Sequence, residues 1–260
     1  SLPMNEKISI KIFVAAFASL LLPSLLLAIE SGSGSIGPKK NQFSVSSLIS
    51  QSKFDVYEYD NQESAGDSEI EERFIQLSYG LTDHLGASLR MGEMAWDPKS
   101  SNGGDYDFGP AWGIGLYSAT PLPSTNPDLT LQLGWTFSYN WGKPENRTRN
   151  SGDIFDARIK EWQTGVDLSC AWKRIIGYGG FRYSQVNLIY THDSHNGTRR
   201  GGFEEEDPFN LFLGGKVNLI ENLFFRLELD FAGVNGAAAA LTYEFDNPLA
   251  DFGRYLWRRY

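Results

Sequence analysis

The chain has 260 residues and a formal net charge of −9, which argues against nucleic-acid binding because phosphate contacts need clustered Lys and Arg. Cys170 is the single cysteine, which excludes an intramolecular disulfide and a metal site built from cysteines. A mean hydropathy of −0.32 argues against a bundle of apolar helices, whereas 27 Gly, 17 Phe, 12 Tyr and 7 Trp favour strands joined by turns.

The first 28 residues have the pattern of a secretory signal peptide. Met4–Lys11 is short and basic, Ile12–Ala28 is apolar, and a polar segment follows the small residue Ala28. The apolar run is short for a membrane-spanning helix and contains Pro23, so a retained anchor is the less favoured alternative. We therefore predict an exported protein that is either soluble or a membrane barrel.

Ten segments after this leader are predicted to be β-strands. They lie near 52–60, 70–80, 85–96, 109–119, 129–141, 157–172, 177–191, 208–219, 222–232 and 236–245. Residues 29–51 are then expected to form an N-terminal periplasmic segment, 52–245 the barrel, and 246–260 a C-terminal periplasmic tail. The stretch 42–59 alternates poorly, so its strand can begin anywhere between 43 and 53. Eight or twelve strands remain alternatives to ten.

The segment Leu129–Trp141 has the clearest alternation, with apolar residues at odd positions and polar or small residues at even positions. Successive side chains of a strand point to opposite faces, so one face is apolar and the other polar. A strand of this kind suits a tilted membrane crossing around a wet interior. The same pattern recurs in 85–92, 161–172, 209–219 and 223–231. In 177–191 the apolar positions change parity after Tyr183, which predicts a bulge or a wrong assignment.

A soluble β-sandwich is the main alternative to a membrane barrel. Its strands are commonly about 5–6 residues long, whereas the segments here are longer. Aromatic residues also lie near the predicted strand ends, where lipid headgroups would lie, and they form a predicted girdle of Tyr79, Trp141, Trp162, Trp172, Tyr243 and Phe245. Short turns alternate with long polar loops. The pattern therefore favours an all-β, antiparallel, up-and-down transmembrane β-barrel.

Two segments resemble bacterial outer-membrane barrels. Tyr79–Arg90 is similar to their strand–turn–strand unit, and Leu241–Phe245 resembles their terminal assembly signal, although here Asp246–Tyr260 follows it. The resemblance implies a Gram-negative cell outer membrane with loops at the cell surface. It also implies the lipid bilayer, outer-leaflet lipids and the barrel-assembly machinery as partners. We expect a monomer that binds no nucleic acid and no cofactor.

Charged residues of both signs occupy the inward-facing positions of the predicted strands. They are Arg90, Glu161, Asp167, Arg182, Lys216, Arg226, Glu228, Asp230 and Glu244. Side chains nearly fill a barrel of this strand number, and buried charges must pair. We predict a structural charge network that plugs the lumen. A narrow, charge-lined pore is the alternative.

Two loop motifs resemble the omptins, which are ten-stranded surface proteases. The matching residues are Asp105 and Asp107 in one loop and Asp193 and His195 in another. The resemblance implies that His195, oriented by Asp193, would activate a water opposite the acidic pair. The neighbouring pairs Gly103–Gly104 and Gly201–Gly202 indicate mobile loops that would lose this geometry, so we expect no protease.

Three smaller features complete the prediction. His192 and His195 could mark a metal site, but we predict no metal. The run Glu204–Asp207 is expected to be a solvated loop, with a cation site as the alternative. Aromatic candidates for surface binding are Tyr106, Phe108, Phe155 and Phe203. The predicted role is structural, surface-binding or small-solute passage, and the alternatives are a narrow pore and an omptin-like endopeptidase.

Overall fold

The computed structural model describes residues 37–58, 64–98, 106–146, 154–194 and 197–246. Within these ranges the chain forms twelve antiparallel β-strands: β1 (Gln42–Glu58), β2 (Ser64–Gly80), β3 (Leu85–Pro98), β4 (Tyr106–Leu122), β5 (Leu129–Gly142), β6 (Glu145–Asn146), β7 (Ile154–Trp172), β8 (Ile175–Ser194), β9 (Gly197–Glu205), β10 (Phe209–Ile220), β11 (Leu223–Phe231) and β12 (Asn235–Asp246). No helix in this part of the chain is long and apolar enough to cross a bilayer.

Ten of these strands close into a barrel. The ring runs β1-β2-β3-β4-β5-β7-β8-β10-β11-β12, and β12 pairs with β1 from Gln42↔Asp246 to Lys53↔Asn235. The prediction of about ten antiparallel strands is confirmed. Short connections at 81–84, 123–128, 173–174 and 221–222 lie at one end, together with the start of β1 and the end of β12. We call this the turn end, and the opposite end the loop end.

The first strand begins one residue before the predicted range of starts, which was 43 to 53. β1 starts at Gln42, so residues 42–51, which were expected to lie in a periplasmic segment, belong to the barrel wall. Ser44, Ser46, Ser50 and Ser52 face the interior and are buried. Because a polar interior accepts serine on the buried face, this strand lacks the apolar alternation by which the other strands were recognised.

The number of strands around the barrel changes along its axis. β9, which lies in a segment predicted to be a loop, pairs with β8 through Asn187–Ser194 and with β1 through Val56–Glu58. β10, β11 and β12 end below this level. Within the described residues the loop end is therefore an eight-strand tier, made of β1–β4, β6, β7, β8 and β9, above a ten-strand tier.

The ten-strand tier has an apolar outside and a polar inside. On β5, Leu133 and Trp135 are 45% and 38% exposed, whereas Thr136 and Ser138 are 3% and 2% exposed. Leu89, Leu168 and Leu213 on other strands are likewise exposed. The predicted alternation is confirmed, because exposed apolar side chains form a continuous belt that suits lipid.

The eight-strand tier reverses this arrangement. One cluster of buried apolar residues fills its interior and reaches into the ten-strand tier: Leu48, Phe54, Val56, Ile70, Phe74, Met94, Trp96, Ala111, Ala157, Ile159, Val186, Leu188, Val234 and Ala240. Its exterior carries charges such as Lys53, Arg73, Glu93 and Arg158. The parity change in β8 is part of this reversal. The predicted bulge there is absent from the described β7–β8 ladder, which runs from Ile154↔Asp193 to Trp172↔Ile175 without a register shift.

Candidate functional site

The lumen of the ten-strand tier contains a fully buried ion-pair cluster. Arg182 on β8 contacts Glu228 through Nη2, and its Nη1 donates to Asp230 Oδ1 at 2.7 Å. The hydroxyl of Tyr178 donates to the second oxygen of Glu228 at 2.9 Å. The guanidinium also stacks over the ring of Phe212, 4.5 Å from its centroid. Neighbouring inward positions on β8 and β11 thus supply both signs of charge.

A second polar network surrounds Arg90 of β3. Its Nε donates to Gln76 Oε1 at 2.8 Å, and its Nη1 lies 3.5 Å from Asn140 Oδ1. Asn140 in turn donates to Glu161 at 2.8 Å, and Gln163 donates to the other Glu161 oxygen at 2.6 Å. This chain crosses four strands, β2, β3, β5 and β7. It therefore ties the barrel wall together through its centre.

The remaining predicted lumen charges lie in the same tier. Lys216 Nζ is 2.7 Å from Glu244 Oε1 and lies over the ring of Phe224. Arg226 is the cross-strand partner of Lys216. Asp167 lies against Gly134, where an added Cβ would come within 2.2 Å of its Oδ2. All nine predicted lumen residues therefore face one interior.

Several polar residues of this interior were missed. Glu72 accepts a hydrogen bond from Ser50 Oγ at 2.6 Å, and both side chains are buried. Gln76, Gln163 and Tyr178 belong to the networks above. Their inward orientation could have been predicted, because apolar residues that face outward flank them in the sequence, such as Ile75 and Leu77 beside Gln76. Glu72 was missed because Glu71 and Arg73 on either side of it are also charged, so 71–73 shows no alternation of apolar and polar residues.

Above these networks, aromatic residues pack together inside the eight-strand tier. Trp96 is 2% exposed and its Nε1 donates to Ser68 Oγ at 2.7 Å. Phe203 of β9 packs edge-on against Trp96 at 5.9 Å between centroids and stacks on Tyr190 at 5.5 Å. Phe203, a candidate for surface binding in a predicted loop, thus lies on a strand and is partly buried. It packs against the apolar cluster because β9 completes the tier.

The residues of the predicted girdle lie at two levels. Tyr79, Tyr243 and Phe245 group with Phe43 near the turn end, where Trp172 is also exposed. Trp141 and Trp162 lie toward the loop end. Trp141 neighbours Trp112 at 6.3 Å, and Trp162 neighbours Tyr183 at 5.2 Å between ring centroids. Two aromatic levels bracket the apolar belt, as a bilayer with two interfaces would require.

The acidic run at 204–207 is not simply a solvated loop. Glu205 is 4% exposed, accepts from Ser184 Oγ at 2.9 Å and from the Val186 amide at 3.2 Å, and so is part of the interior. Glu204 accepts from the hydroxyl of Tyr57 at 2.7 Å. Among the side chains that the structure describes, no three His, Cys, Asp or Glu are arranged to hold a metal ion.

Two carboxyl groups meet on the outside of the eight-strand tier, beyond the apolar belt. Asp55 and Asp67 are cross-strand partners of β1 and β2. The hydrogen bond that the protonated Asp55 carboxyl group donates to Asp67, followed by slight burial and by repulsion from Asp67, Glu206 and Asp207, raises the pKa of Asp55. This part of the exterior is therefore strongly acidic.

The omptin-like motifs fall mostly outside the described residues. Asp105 and His195 are not among them, and nothing is described of the side chains of His192 and Asp193. Asp107 is exposed on β4, where it pairs in register with Glu145 of β6. The aromatic candidates for surface binding are also only partly described. Phe108 lies under the guanidinium of Arg73, 3.8 Å from the ring centroid, while the side chains of Tyr106 and Phe155 lie outside the description.

A closed antiparallel barrel with an apolar belt and a polar interior is the architecture of the outer-membrane β-barrels. Three solved structures of this kind are similar to the chain. They are the outer membrane protease OmpT from Escherichia coli (12% identity, 79% of this chain and 97% of the other covered, TM-score 0.43), the outer membrane protein OprG from Pseudomonas aeruginosa (12%, 81% and 98%, 0.43) and the attachment invasion locus protein Ail of Yersinia pestis (11%, 79% and 99%, 0.31).

At these identities and TM-scores the likeness concerns the barrel fold and carries no argument about activity. No protein-family model matches the chain, and no curated protein does so.

Proposed function

We propose that the protein is a sealed outer-membrane barrel that supports surface-exposed loops, with a structural or surface-binding role rather than solute passage. This proposal rests on one observation: two different sets of side chains occupy the lumen, one above the other. The charge networks around Arg182 and Arg90 occupy the ten-strand tier, and the apolar cluster around Trp96 occupies the eight-strand tier.

Each filling opposes ion passage by a separate physical mechanism. The buried ion pairs fill the narrow interior and hold their charges against one another, so a passing ion would have to separate them. The apolar cluster opposes a hydrated ion because a path through it would expose close-packed aromatic and aliphatic side chains to water. For the barrel to conduct ions, both the buried ion pairs and the apolar cluster would have to move.

The loop end is the proposed site of contact with partners. The strands of the eight-strand tier continue beyond the apolar belt and carry charged residues on their exterior, such as Arg73 paired with Glu93 at 3.3 Å. An apolar core of its own makes this tier a rigid support for the segments 59–63, 99–105 and 147–153 that join its strands. In this proposal the turn end faces the periplasm and the loop end faces the cell exterior.

Planar-bilayer recording of the purified protein tests the seal. We expect no steady conductance from the wild-type chain, nor from a variant opened in one tier only (Arg182→Ser with Glu228→Ser, or Trp96→Ala with Phe203→Ala). Combining the two pairs should produce measurable conductance. Steady porin-like channels in the wild type would overturn the proposal in favour of the narrow pore.

Impermeant labelling of intact cells tests the orientation. In a Cys170→Ser background, a cysteine placed at Asp207 at the loop end should react with a membrane-impermeant maleimide. A cysteine at Glu221 at the turn end should react only after lysis. The reverse pattern would contradict the proposed orientation.

The loops themselves can be tested by shortening 99–105 and 147–153. The barrel should still fold because the eight-strand tier closes beneath them, while adhesion of expressing cells to protein-coated surfaces should fall if the role is surface binding. Unchanged adhesion leaves the structural role. Cleavage of a dibasic peptide that His195→Ala abolishes would instead establish the endopeptidase alternative.

A further inference from the structure

A cavity of about 50 Å³ lies inside the barrel at the turn end. Three basic side chains line it, Arg90 of β3, Lys216 of β10 and Arg226 of β11, together with serine and threonine residues of β1, β2, β3, β5 and β12. Among the described residues that line it, none is acidic. A cavity needs roughly 10–15 Å³ to hold one water, so this one has room for a small polyatomic ion.

The segment before β1 lines this cavity at the turn end. Gly37 and Pro38 belong to its lining, and a bridge between Lys40 and Gly80 holds the segment against β2, with the Asn41 amide donating to the Gly80 carbonyl at 2.8 Å. Gly37 lies against the ring of Tyr117, where an added Cβ would lie 1.9 Å from the ring. Only glycine can approach the ring this closely.

Tyr117 brings a hydroxyl group into this cavity. The residue lines the cavity, and its buried hydroxyl has no hydrogen-bond partner among the described residues. A buried hydroxyl without a partner costs free energy comparable to that of a lost hydrogen bond. The hydroxyl is therefore placed to donate to whatever occupies the cavity.

The charge arrangement also indicates the sign of that occupant. Lys216 and Arg226 are directly opposite each other in the β10–β11 ladder and both face inward. Like charges directly opposite each other destabilise a sheet. The Glu244 carboxylate contacts Lys216 Nζ at 2.7 Å, and an anion in the cavity would add to this counter-charge. Arg90 adds a third positive charge from the other side of the barrel.

We propose that this cavity is a binding site for one small inorganic anion, a halide or an oxyanion such as phosphate. Arg90, Lys216 and Arg226 supply the positive field, and the Tyr117 hydroxyl donates a hydrogen bond. Buried serine and threonine hydroxyls complete a polar shell. The anion joins β3, β10 and β11, so its binding stabilises the closed barrel. This site is independent of any role of the loops.

Thermal unfolding of the full chain in detergent micelles tests the site. Midpoints are compared in sodium chloride, sodium phosphate and sodium gluconate at equal ionic strength, because gluconate is too large for the cavity. We expect a saturable rise with chloride or phosphate over gluconate, since a ligand that binds only the folded state stabilises it by mass action. Line broadening of ³⁵Cl or ³¹P signals shows which anion binds.

Two variants separate binding from a merely structural effect. Tyr117→Phe should raise the midpoint in gluconate slightly, because it removes a buried hydroxyl without a partner, and should weaken anion binding about tenfold, the usual effect of one hydrogen bond to a charged group. Arg226→Gln should abolish saturation, whereas Arg158→Gln on the barrel exterior should behave as the wild type. Equal midpoints in the three salts, or a wild-type response from Tyr117→Phe and Arg226→Gln, would overturn the proposal.

Discussion

Phe181 and Val186 are five residues apart on the uninterrupted strand β8, and their side chains lie on opposite faces of the barrel wall. Phe181 is 70% exposed on the outside, whereas Val186 is 2% exposed on the inside. Between these two residues the apolar face of the strand thus changes from the outside of the barrel to the inside. Below this level the wall presents apolar side chains to lipid, and above it the same strands enclose an apolar core of their own.

A charge placed on the lipid-facing belt should destabilise the barrel. Leu168 lies on β7 between Trp162 and Trp172, and is 52% exposed. We expect Leu168→Arg to lower the free energy of unfolding in lipid vesicles by about 2–4 kcal/mol, the cost of a basic residue near the bilayer midplane. Denaturant titration followed by tryptophan fluorescence measures this difference.

Ile189→Arg is the matched control for this substitution. Ile189 is also exposed, at 40%, but it lies on β8 where that strand pairs with β9, in the eight-strand tier. We expect a change below about 1 kcal/mol, as for an ordinary surface substitution. Equal losses at the two positions would show that the belt ends elsewhere.

Removal of Arg182 should be among the most damaging single substitutions in the lumen. Arg182→Met leaves Glu228 and Asp230 buried without their cation, and we expect a loss of about 3–5 kcal/mol in the free energy of unfolding. The triple variant Arg182→Met, Glu228→Leu, Asp230→Leu should recover most of it, because an apolar replacement leaves no buried charge. A triple variant as unstable as the single one would contradict this account.

The exposed pair Arg158–Asp156 provides the comparison. Its nitrogen–oxygen distance is 3.7 Å, and the side chains are 57% and 38% exposed. Arg158→Met should change the free energy of unfolding by less than about 1 kcal/mol, since solvent screens such pairs.

The apolar core of the eight-strand tier should contribute to the free energy of unfolding as the core of a soluble protein does. Trp96→Ala removes a buried side chain and the hydrogen bond to Ser68, and we expect a loss of about 3–5 kcal/mol. Trp112→Ala, at a lipid-facing position that is 43% exposed, should cost less because lipid can fill the space. A larger loss at Trp112 would contradict the placement of the core.

The carboxyl pair on the exterior should make stability depend on pH. Because the folded-state pKa of Asp55 is raised above its ordinary value of 3.8, its contribution to stability is fully present below that value and is lost as pH rises through the raised pKa. We therefore expect Asp67→Asn to raise the unfolding midpoint at pH 7 and to have little effect at pH 3. Asp107→Asn, at an exposed carboxyl group outside this pair, serves as the control.

The wall of this barrel was predictable from the sequence where one face is apolar and the other polar. β5 and β7 were recognised for that reason, and the inward charges followed from their parity. The predicted first strand was shorter than β1 because serines occupy the buried face of its first half. β9 was predicted to be a loop because it contains the charged residues Arg199, Arg200, Glu204 and Glu205. Alternation separates the apolar face of a strand from its polar face. It does not show whether the apolar face points outward to lipid or inward at a given height of the barrel.

The partners within the lumen were not predictable for a related reason. Parity places Arg182, Glu228 and Asp230 inside but does not give the stagger between β8, β10 and β11 that brings them to one level. Nor does it give the folding of residues 37–41 across the turn end, which depends on the close approach of Gly37 to Tyr117. These contacts follow from register and tertiary packing.

The pairing of β1 with β12 has a consequence for the order of folding. Ser46 and Thr242, whose hydroxyls lie 2.8 Å apart across this seam, are separated by 196 residues of chain. Contacts of such long range form slowly because loop closure costs entropy before the contact stabilises anything. Until β12 arrives, β1 is an open edge on which another strand can pair. A chain truncated before Asn235 should therefore accumulate as an aggregating or chaperone-bound species rather than as a smaller barrel.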